Sequence, residues 1–506
     1  MSETLSPTDR PELFIGLAGP IGVDMDGIVQ GLNDALIGVG YRPVPIRLTA
    51  EMMAIPTGVS IDPDDFYAES DSKMKYGNAI RRMTGDPAAL ARVAAVGIRS
   101  KRADITGRAS KPAEGTAYVI RQLKRPEEVA YLRHLYGRQF ILVSAYGPRE
   151  QRLALLRERL RQTMATTTRP GELGAKAEEL VDTDASEEDK EFGQQLRDTF
   201  HRGDVFIDGM DRPAMNDKLN RFVQALFGRV DIGPSRDELG MYAAAGAALR
   251  STDLSRQVGA AIFTGDGELI VQGCNEVPKA FGGAYWDSEQ PDYRDVKIGH
   301  DPNALEVREV LRDLFQRLRA GGMLSKDALD LGTPLDMVRA LTGKDGLLSD
   351  ASLLDVTEYG RVVHAEMHAL CDAARLGRSV KGGVLYSTTF PCHNCTKHIL
   401  AAGIKRVVFI EPYPKSMAKR LHEHEIEVEG DSPYRVEFQP FLGISPARYR
   451  DIFQKGRRKD RDGRAKRWYD PSDEARPMVD AAYPAYLAME EYALQPLLGR
   501  VVPRGS

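Results

Sequence analysis

The first two hundred residues alternate short apolar runs with stretches whose apolar residues recur every three or four positions. "PELFIGLAGPIG" is an apolar run that ends in glycines, "VDMDGIVQGLNDALIGVG" has helical spacing, and "YRPVPIRL" is apolar again. Strand, glycine turn, helix, strand is the opening of a parallel α/β domain. Helical spacing returns near 74–83 and 88–103. "TAYVIRQL" and "QFILVSAYG" then read as strands separated by the helical "PEEVAYLRHLYG", and "REQRLALLRERLRQTM" as a further helix. A last buried strand is predicted in "GDVFIDGM", 203–210. The pattern predicts one doubly wound α/β domain over 10–232. Within it, 166–195 is polar and acidic in its second half, and reads as a surface connection or a lid.

A different order begins near Arg236. An alanine-rich helix is followed by "RQVGAAIF", a "GDG" hairpin turn and "ELIVQGCNEVP". The section 279–357 holds helical patterns at 303–320 and 325–342. A helix at 360–377 follows, then "GGVLYSTTF" as a strand, "HNCTKHILAAG" as a helix and "KRVVFIEP" as a strand. "KSMAKRLHEH" reads as a helix and "YRVEFQPFLG" as a strand. These predict a second α/β domain over 236–470 with an insertion at 279–357, and a tail at 471–506. The final "VVPRGS" reads as a protease-site remnant with no part in the fold.

Composition narrows the setting. A chain of 506 residues exceeds a single core, so two or three domains are expected. The balance of 69 basic against 73 acidic residues gives a net charge of -4, which excludes coating nucleic acid or membrane by bulk electrostatics. No apolar run approaches the ~18 residues of a spanning helix. The start has no basic and apolar regions of a secretory signal. Four cysteines, Cys274, Cys371, Cys392 and Cys395, are too few for a disulfide framework and fit a reducing cytosol. A cytoplasmic protein without membrane contact is expected.

Chemistry concentrates in two short pieces, His364-Ala365-Glu366 and Pro391-Cys392-His393-Asn394-Cys395. H-x-E followed by P-C-x-x-C is a known signature of zinc nucleobase deaminases, and the chain carries both pieces in that order. The physics agrees with it. Zinc takes about four tetrahedral donors, and a catalytic site leaves one position open. Cysteines three apart at a helix start can face one ion, and the helix N-terminus favours their thiolates. His364 supplies the third donor from another helix. Zinc lowers the pKa of bound water to roughly 7, generating a nucleophile for a ring carbon bearing an exocyclic amine. Glu366, two residues from His364, is assigned as the proton shuttle and not as a ligand. His368 shares the face of His364, but a fourth protein donor would close the site, so it is expected to be packed. Cys371 and Cys274 are expected as small buried apolar groups.

On these motifs the region 236–470 resembles the cytidine and deoxycytidylate deaminase superfamily, and deoxycytidylate deaminases in particular. The resemblance runs through "LSRQVGAAIF", "GELIVQGCNEVP", "VHAEMHAL" and "LYSTTFPCHNCTKHIL". It implies a three-layer α/β/α cytidine-deaminase-like domain. It also implies that Asn275 holds the sugar, that Ser387, Thr388 and Thr389 belong to a hydroxyl-rich strand at the substrate, and that Glu276, Tyr386 and Tyr413 are candidates for the pocket wall. Assembly as a homo-oligomer is implied too. Arg256, Lys279, Arg294, Arg361 and Lys415 remain unranked candidates for phosphate contacts.

The whole chain is similar to bacterial antiviral deaminases that join a P-loop-kinase-like domain to a deoxycytidylate deaminase domain. That implies conversion of dCTP or dCMP to dUTP or dUMP, depleting the nucleotide pool during phage infection. A regulatory RNA or a phage-derived signal is an implied partner. The alternatives are a deaminase of single-stranded DNA or RNA and a housekeeping dCMP deaminase.

Two features stand apart. Gly16, Gly19 and Gly22 lie between the first strand and helix, where backbone N–H groups can meet a phosphate. A working Walker A carries Lys and Ser/Thr after its last glycine, whereas Val23 and Asp24 stand here. The expectation is a degenerate kinase fold without phosphoryl transfer, left to bind a nucleotide or a phage-derived signal or to serve in assembly. Near the other end, "KGRRKDRDGRAKRW" at 455–468 has eight basic residues against two Asp, and reads as a phosphate or RNA contact or as a solvated loop. Trp468 is a candidate for base stacking.

Overall fold

The computed structural model describes residues 9–165, 168–185, 187, 191–349, 351–413, 415–430, 432–466, 468, 476–479 and 484–498, the last six without side chains. The predicted remnant at 501–506 lies outside them. The strands in chain order are β1 (Leu13–Ala18), β2 (Arg42–Arg47), β3 (Thr116–Arg121), β4 (Phe140–Tyr146), β5 (Val205–Asp208), β6 (Gly259–Phe263), β7 (Leu269–Cys274), β8 (Val384–Thr389), β9 (Arg406–Glu411), β10 (Ile426–Val428), β11 (Val436–Pro440) and β12 (Gly443–Ile444). They form two six-stranded sheets, and the chain divides into two compact units, 1–242 with 440–506, and 243–439. The division departs from the expected 236–470 domain: "YRVEFQPFLG" splits into β11 and β12, and β12 pairs antiparallel with β5 of the first sheet. No described helix is long and apolar enough to cross a membrane.

The first sheet has the order β12-β5-β4-β1-β3-β2, parallel from β5 to β2. β1 is buried along its whole length, as a central strand covered on both faces must be. Alternation sends Leu13, Ile15 and Leu17 to one core, shared with the helices Met25–Gly38 and Arg212–Leu226, and Phe14 to the other, shared with Ala89–Thr106 and Pro126–Tyr136. Gly16 belongs to this packing and not to the loop. A Cβ there would lie 2.7 Å from Leu123 and 2.9 Å from the Phe140 ring.

The segment 166–195 contains the helix Pro170–Ala185 in place of the expected connection. Leu173, Ala177 and Val181 recur at helical spacing and pack on Leu153, Leu156 and Leu160. Its polar composition masked a narrow apolar stripe. At the other end, Trp468 packs on the first unit's core and donates to Phe227 O at 3.0 Å, so its indole edge is already engaged.

The second sheet has the order β10-β11-β9-β8-β6-β7, with β6 antiparallel to β7 and β8, and β8 parallel to β9. The helix Ala365–Arg375 lies across β6 and β7. It comes so close that a Cβ on Gly273 would stand 2.4 Å from Ala365 O. Only glycine permits that approach, which sets the helix start against the sheet. The insertion has its own small core of Leu311, Phe315, Met337 and Val338. Its second helical pattern is broken into Lys326–Asp330 and Pro334–Thr342, where Gly332 has φ +104 and Thr333 caps a new helix.

Candidate metal centre and the cavity around it

Two helix starts meet at one point. His364 is the N-cap of Ala365–Arg375, and Cys392 is the N-cap of His393–Ala401, its sulfur accepting from the Cys395 N–H at 3.4 Å. The Sγ atoms of Cys392 and Cys395 lie 3.3 and 3.5 Å from His364 Nδ1. Tetrahedral zinc with ordinary Zn–S and Zn–N bonds requires N to S separations of about 3.5 Å. The three donors therefore fit zinc, and among the described residues they are the one such group of three. Three protein donors leave the fourth position of a catalytic site.

The thiols divide their proton. Hydrogen bonding to Cys395 and then to His364 pulls Cys392 down to about 3, while Cys395 is held well above the ordinary thiol value by its bond to Cys392 and by burial. The same contact with Cys392 raises His364. Glu366 is 4% exposed, and desolvation pushes its carboxyl above the usual range. A carboxyl that holds a proton more readily suits acid and base duty in turn.

His364, Glu366 and Cys392 border a cavity of about 260 Å³, lined also by Asn275, Tyr413, Arg256, Arg361 and Thr389, with Cys395 buried behind them. Asn275 is braced by backbone: its Oδ1 accepts from Val258 N at 2.7 Å and its Nδ2 donates to Arg256 O at 2.8 Å. Arg256 bonds Glu411 at 3.0 Å and lies over the Tyr413 ring at 5.1 Å. Arg361 donates to Asp295 at 2.9 Å.

Glu276, Ser387 and Thr388 fall outside the lining. Glu276 is 2% exposed and accepts from Thr252 N, Thr252 Oγ1 and Val277 N, which makes it a loop brace. Ser387 is fully buried. The hydroxyl of Thr388 accepts from Gly259 N at 3.1 Å. Of the five cations proposed for phosphate, Arg256 and Arg361 reach the cavity. Lys279 instead pairs with Glu289, Arg294 with Asp292, and Lys415 with Asp355.

Sequence reasoning missed Asp253, Asp295 and Asp301, which also line the cavity. No motif marks them, because the fold of the insertion delivers two of them. His368 is buried and its Nδ1 donates to Cys274 O at 2.8 Å, a packing role. Cys274 is buried as expected, with its thiol pushed up to about 11, chiefly by desolvation. Cys371 is exposed, against expectation, since it lies on the solvent side of its helix.

Residues 234–411 match the family model described as the cytidine and deoxycytidylate deaminase zinc-binding region. The chain is 44% identical over 54 residues to the deoxycytidylate deaminase of enterobacteria phage T4, covering 11% of this chain and 28% of that one. It is 43% identical over 54 residues to the human deoxycytidylate deaminase, covering 11% and 29%. ComE operon protein 2 of Bacillus subtilis is 29% identical over 103 residues, covering 20% and 53%. The chain thus spans less than a third of the length of the phage T4 and human relatives. Among solved structures, the apo dCMP deaminase of cyanophage S-TIM5 aligns over 42% of this chain and all of its own, with TM-score 0.22 and 17% identity. The matched region is zinc-binding, and the His/Cys/Cys group lies within it.

Proposed function

We propose that the second unit is a zinc-dependent hydrolytic deaminase of deoxycytidine nucleotides, converting dCTP or dCMP to the uracil nucleotide and ammonia. The observation that carries this reading is the meeting of His364 Nδ1 with Cys392 Sγ and Cys395 Sγ, with His364, Cys392 and buried Glu366 lining one cavity. His364, Cys392 and Cys395 hold the metal, which when bound supplies Lewis acidity toward water near neutral pH. Glu366 takes one proton from the attacking water and delivers it to N3 of the ring. It then takes the second from the hydroxyl left on C4 and delivers it to the amine, which leaves as ammonia while the C4 carbonyl forms. Asn275, fixed by Val258 and Arg256, presents its remaining amide capacity toward the sugar, and Tyr413 forms the wall beside it. Arg256 and Arg361, which line the cavity, would meet the phosphates.

In this reading the enzyme acts on free nucleotides as a homo-oligomer, and its consequence in the cell is depletion of the deoxycytidine nucleotide pool as a defence against phage. Separation of nucleotides by chromatography after incubation with dCTP, dCMP or a deoxycytidine-containing oligonucleotide tests the activity. Uracil is expected in the free nucleotides. Uracil in the oligonucleotide alone overturns the reading.

A further inference from the structure

The basic run near the end of the chain folds as an exposed hairpin on the first unit. In "KGRRKDRDGRAK", 455–466, Lys459 bridges Ala465 antiparallel, Asp460 N donates to Arg464 O and Lys466 N donates to Arg458 O, both at 2.9 Å. Gly463, with φ +81, turns the chain. The Asp460 carboxylate braces that turn by accepting from Asp462 N at 2.9 Å and Arg464 N at 2.8 Å. Arg457, Arg458, Lys459, Arg461, Arg464 and Lys466 are all exposed, and none holds an ion pair with a described residue.

The pairing sets Arg458 directly opposite Lys466, and Arg464, two residues before Lys466, shares their face. Like charges directly opposite each other destabilise a strand pair. An external anion reverses that cost. The hairpin is also tied down at both ends. Lys455 Nζ donates to Arg229 O, and to Ile232 O at 3.4 Å, and Trp468 Nε1 donates to Phe227 O at 3.0 Å. Its cations are therefore presented from a fixed base.

Lys455 and Gly456 border an open groove of about 810 Å³ on the same unit, whose other charged residues are Arg138, Arg450 and Asp451. Asp451 is compensated by Arg138 and Arg448, while Arg450 is exposed without an ion pair to a described residue. The positive surface thus runs from the hairpin into the groove. The chain's net charge of -4 does not cancel it, because charges act over only about 10 Å at 0.1 M salt.

The shape of the surface selects among polyanions. Single strands are held by stacking bases on aromatic side chains set among the cations. Residues 455–466 contain no aromatic, and Trp468 packs on the core. The major groove of A-form RNA is deep and narrow, closed to side chains. That of B-form DNA, about 12 Å wide, admits a two-stranded ribbon.

We propose that this surface binds duplex DNA, with the hairpin 457–466 in the major groove, its cations on the flanking phosphates and Arg450 on the backbone beyond. Contacts to phosphate carry no sequence information, so the binding is independent of sequence. The surface lies outside the metal centre, and the proposal does not rest on the deaminase reading.

Fluorescence anisotropy with the full chain tests it, using labelled duplex DNA of about 20 base pairs, duplex RNA of the same sequence and the separate strands. Duplex DNA is expected to bind saturably and at least ~5-fold more tightly than the other three, with a log–log salt slope of about -4 to -6, since each neutralised phosphate adds about -0.9. The variant Arg458→Ala/Lys459→Ala/Arg461→Ala/Arg464→Ala, changed only at exposed positions, is expected to lose 10-fold or more in affinity and to flatten the slope by about 3–4 at an unchanged melting temperature. Arg458→Lys/Arg461→Lys/Arg464→Lys, which keeps the charge, is expected to stay within about 3-fold of the parent chain. Binding that survives the alanine variant, that is lost equally in the lysine variant, or that is matched by duplex RNA or by a single strand overturns the proposal. So does the absence of saturable binding to duplex DNA at 50 mM salt.

Discussion

His364 Nδ1 stands 3.3 Å from Cys392 Sγ, and each residue is the N-cap of a different helix. A cap sits in extended backbone just before its helix, so its side chain is aimed by the helix start and not carried on a helix face. The metal donors are thus fixed by the packing of two helices on one sheet.

Removing either donor should therefore cost the metal before it costs the fold. His364→Ala and Cys392→Ser are expected to drop bound zinc from about one ion per chain to a small fraction of that. Elemental analysis of the purified variants measures it. Full zinc content in either variant would show that the ion sits elsewhere.

Glu366→Gln separates the proton carrier from the ligands. The amide keeps the shape and cannot shuttle protons, so zinc content should stay at the wild-type level while kcat for dCMP or dCTP falls by about 10²–10⁴. Steady-state assays with metal analysis of the same sample decide it. A variant that keeps its rate removes Glu366 from the mechanism.

Asn275 is a brace as well as a lining residue, since its amide joins Val258 N to Arg256 O. Asn275→Ala leaves both backbone groups unpaired and should destabilise the second unit by about 1–3 kcal/mol. It should also raise KM, because Arg256 lines the same cavity. Asn275→Asp keeps the acceptor for Val258 but sets a carboxylate oxygen against the Arg256 carbonyl, so it should be no milder than Ala in KM. Denaturant unfolding and substrate titration read the two effects separately.

The metal centre was legible because its chemistry is carried by contiguous motifs, H-x-E and P-C-x-x-C, on segments with clear helical and strand periods. β1 to β9 and β11 were legible for the same reason, since buried strands read as apolar runs, whereas β10 and β12, three and two residues long, were not. What escaped the sequence depends on distant pairing. Asp295 and Asp301 reach the cavity only through the fold of the insertion. Glu276, expected at the substrate, is claimed by Thr252, and Gly16, expected in the loop, by the packing of β1 against Phe140. The return of the chain to the first unit begins with a two-residue strand, too short to carry a pattern.

That return is secured by a buried charge. Arg102, 0% exposed, bonds Glu12 through Nε at 2.9 Å, and Glu490 of the helix Tyr486–Leu498 at 2.6 and 2.9 Å. Tyr136 also donates to Glu490 at 3.0 Å. Arg102→Met would leave buried Glu12 without its cation and Glu490 with only the longer contact to Arg99 at 3.7 Å, a loss of about 3–5 kcal/mol when one partner of a buried pair is removed. The loss should depend on pH in a defined direction. Burial already holds the Glu490 carboxyl above its ordinary value, and removing Arg102 raises it further. A carboxyl whose folded pKa is raised binds its proton more tightly folded than unfolded, so stability falls as pH rises from the unfolded value through the folded one. Arg102→Met should thus be closer to wild type near pH 5 than near pH 8, and Glu490→Gln placed in the same chain should recover part of the deficit at the higher pH. Thermal unfolding of the three chains at both pH values measures this. A deficit that grows toward acid would mean that the carboxylates remain ionised and paired without Arg102.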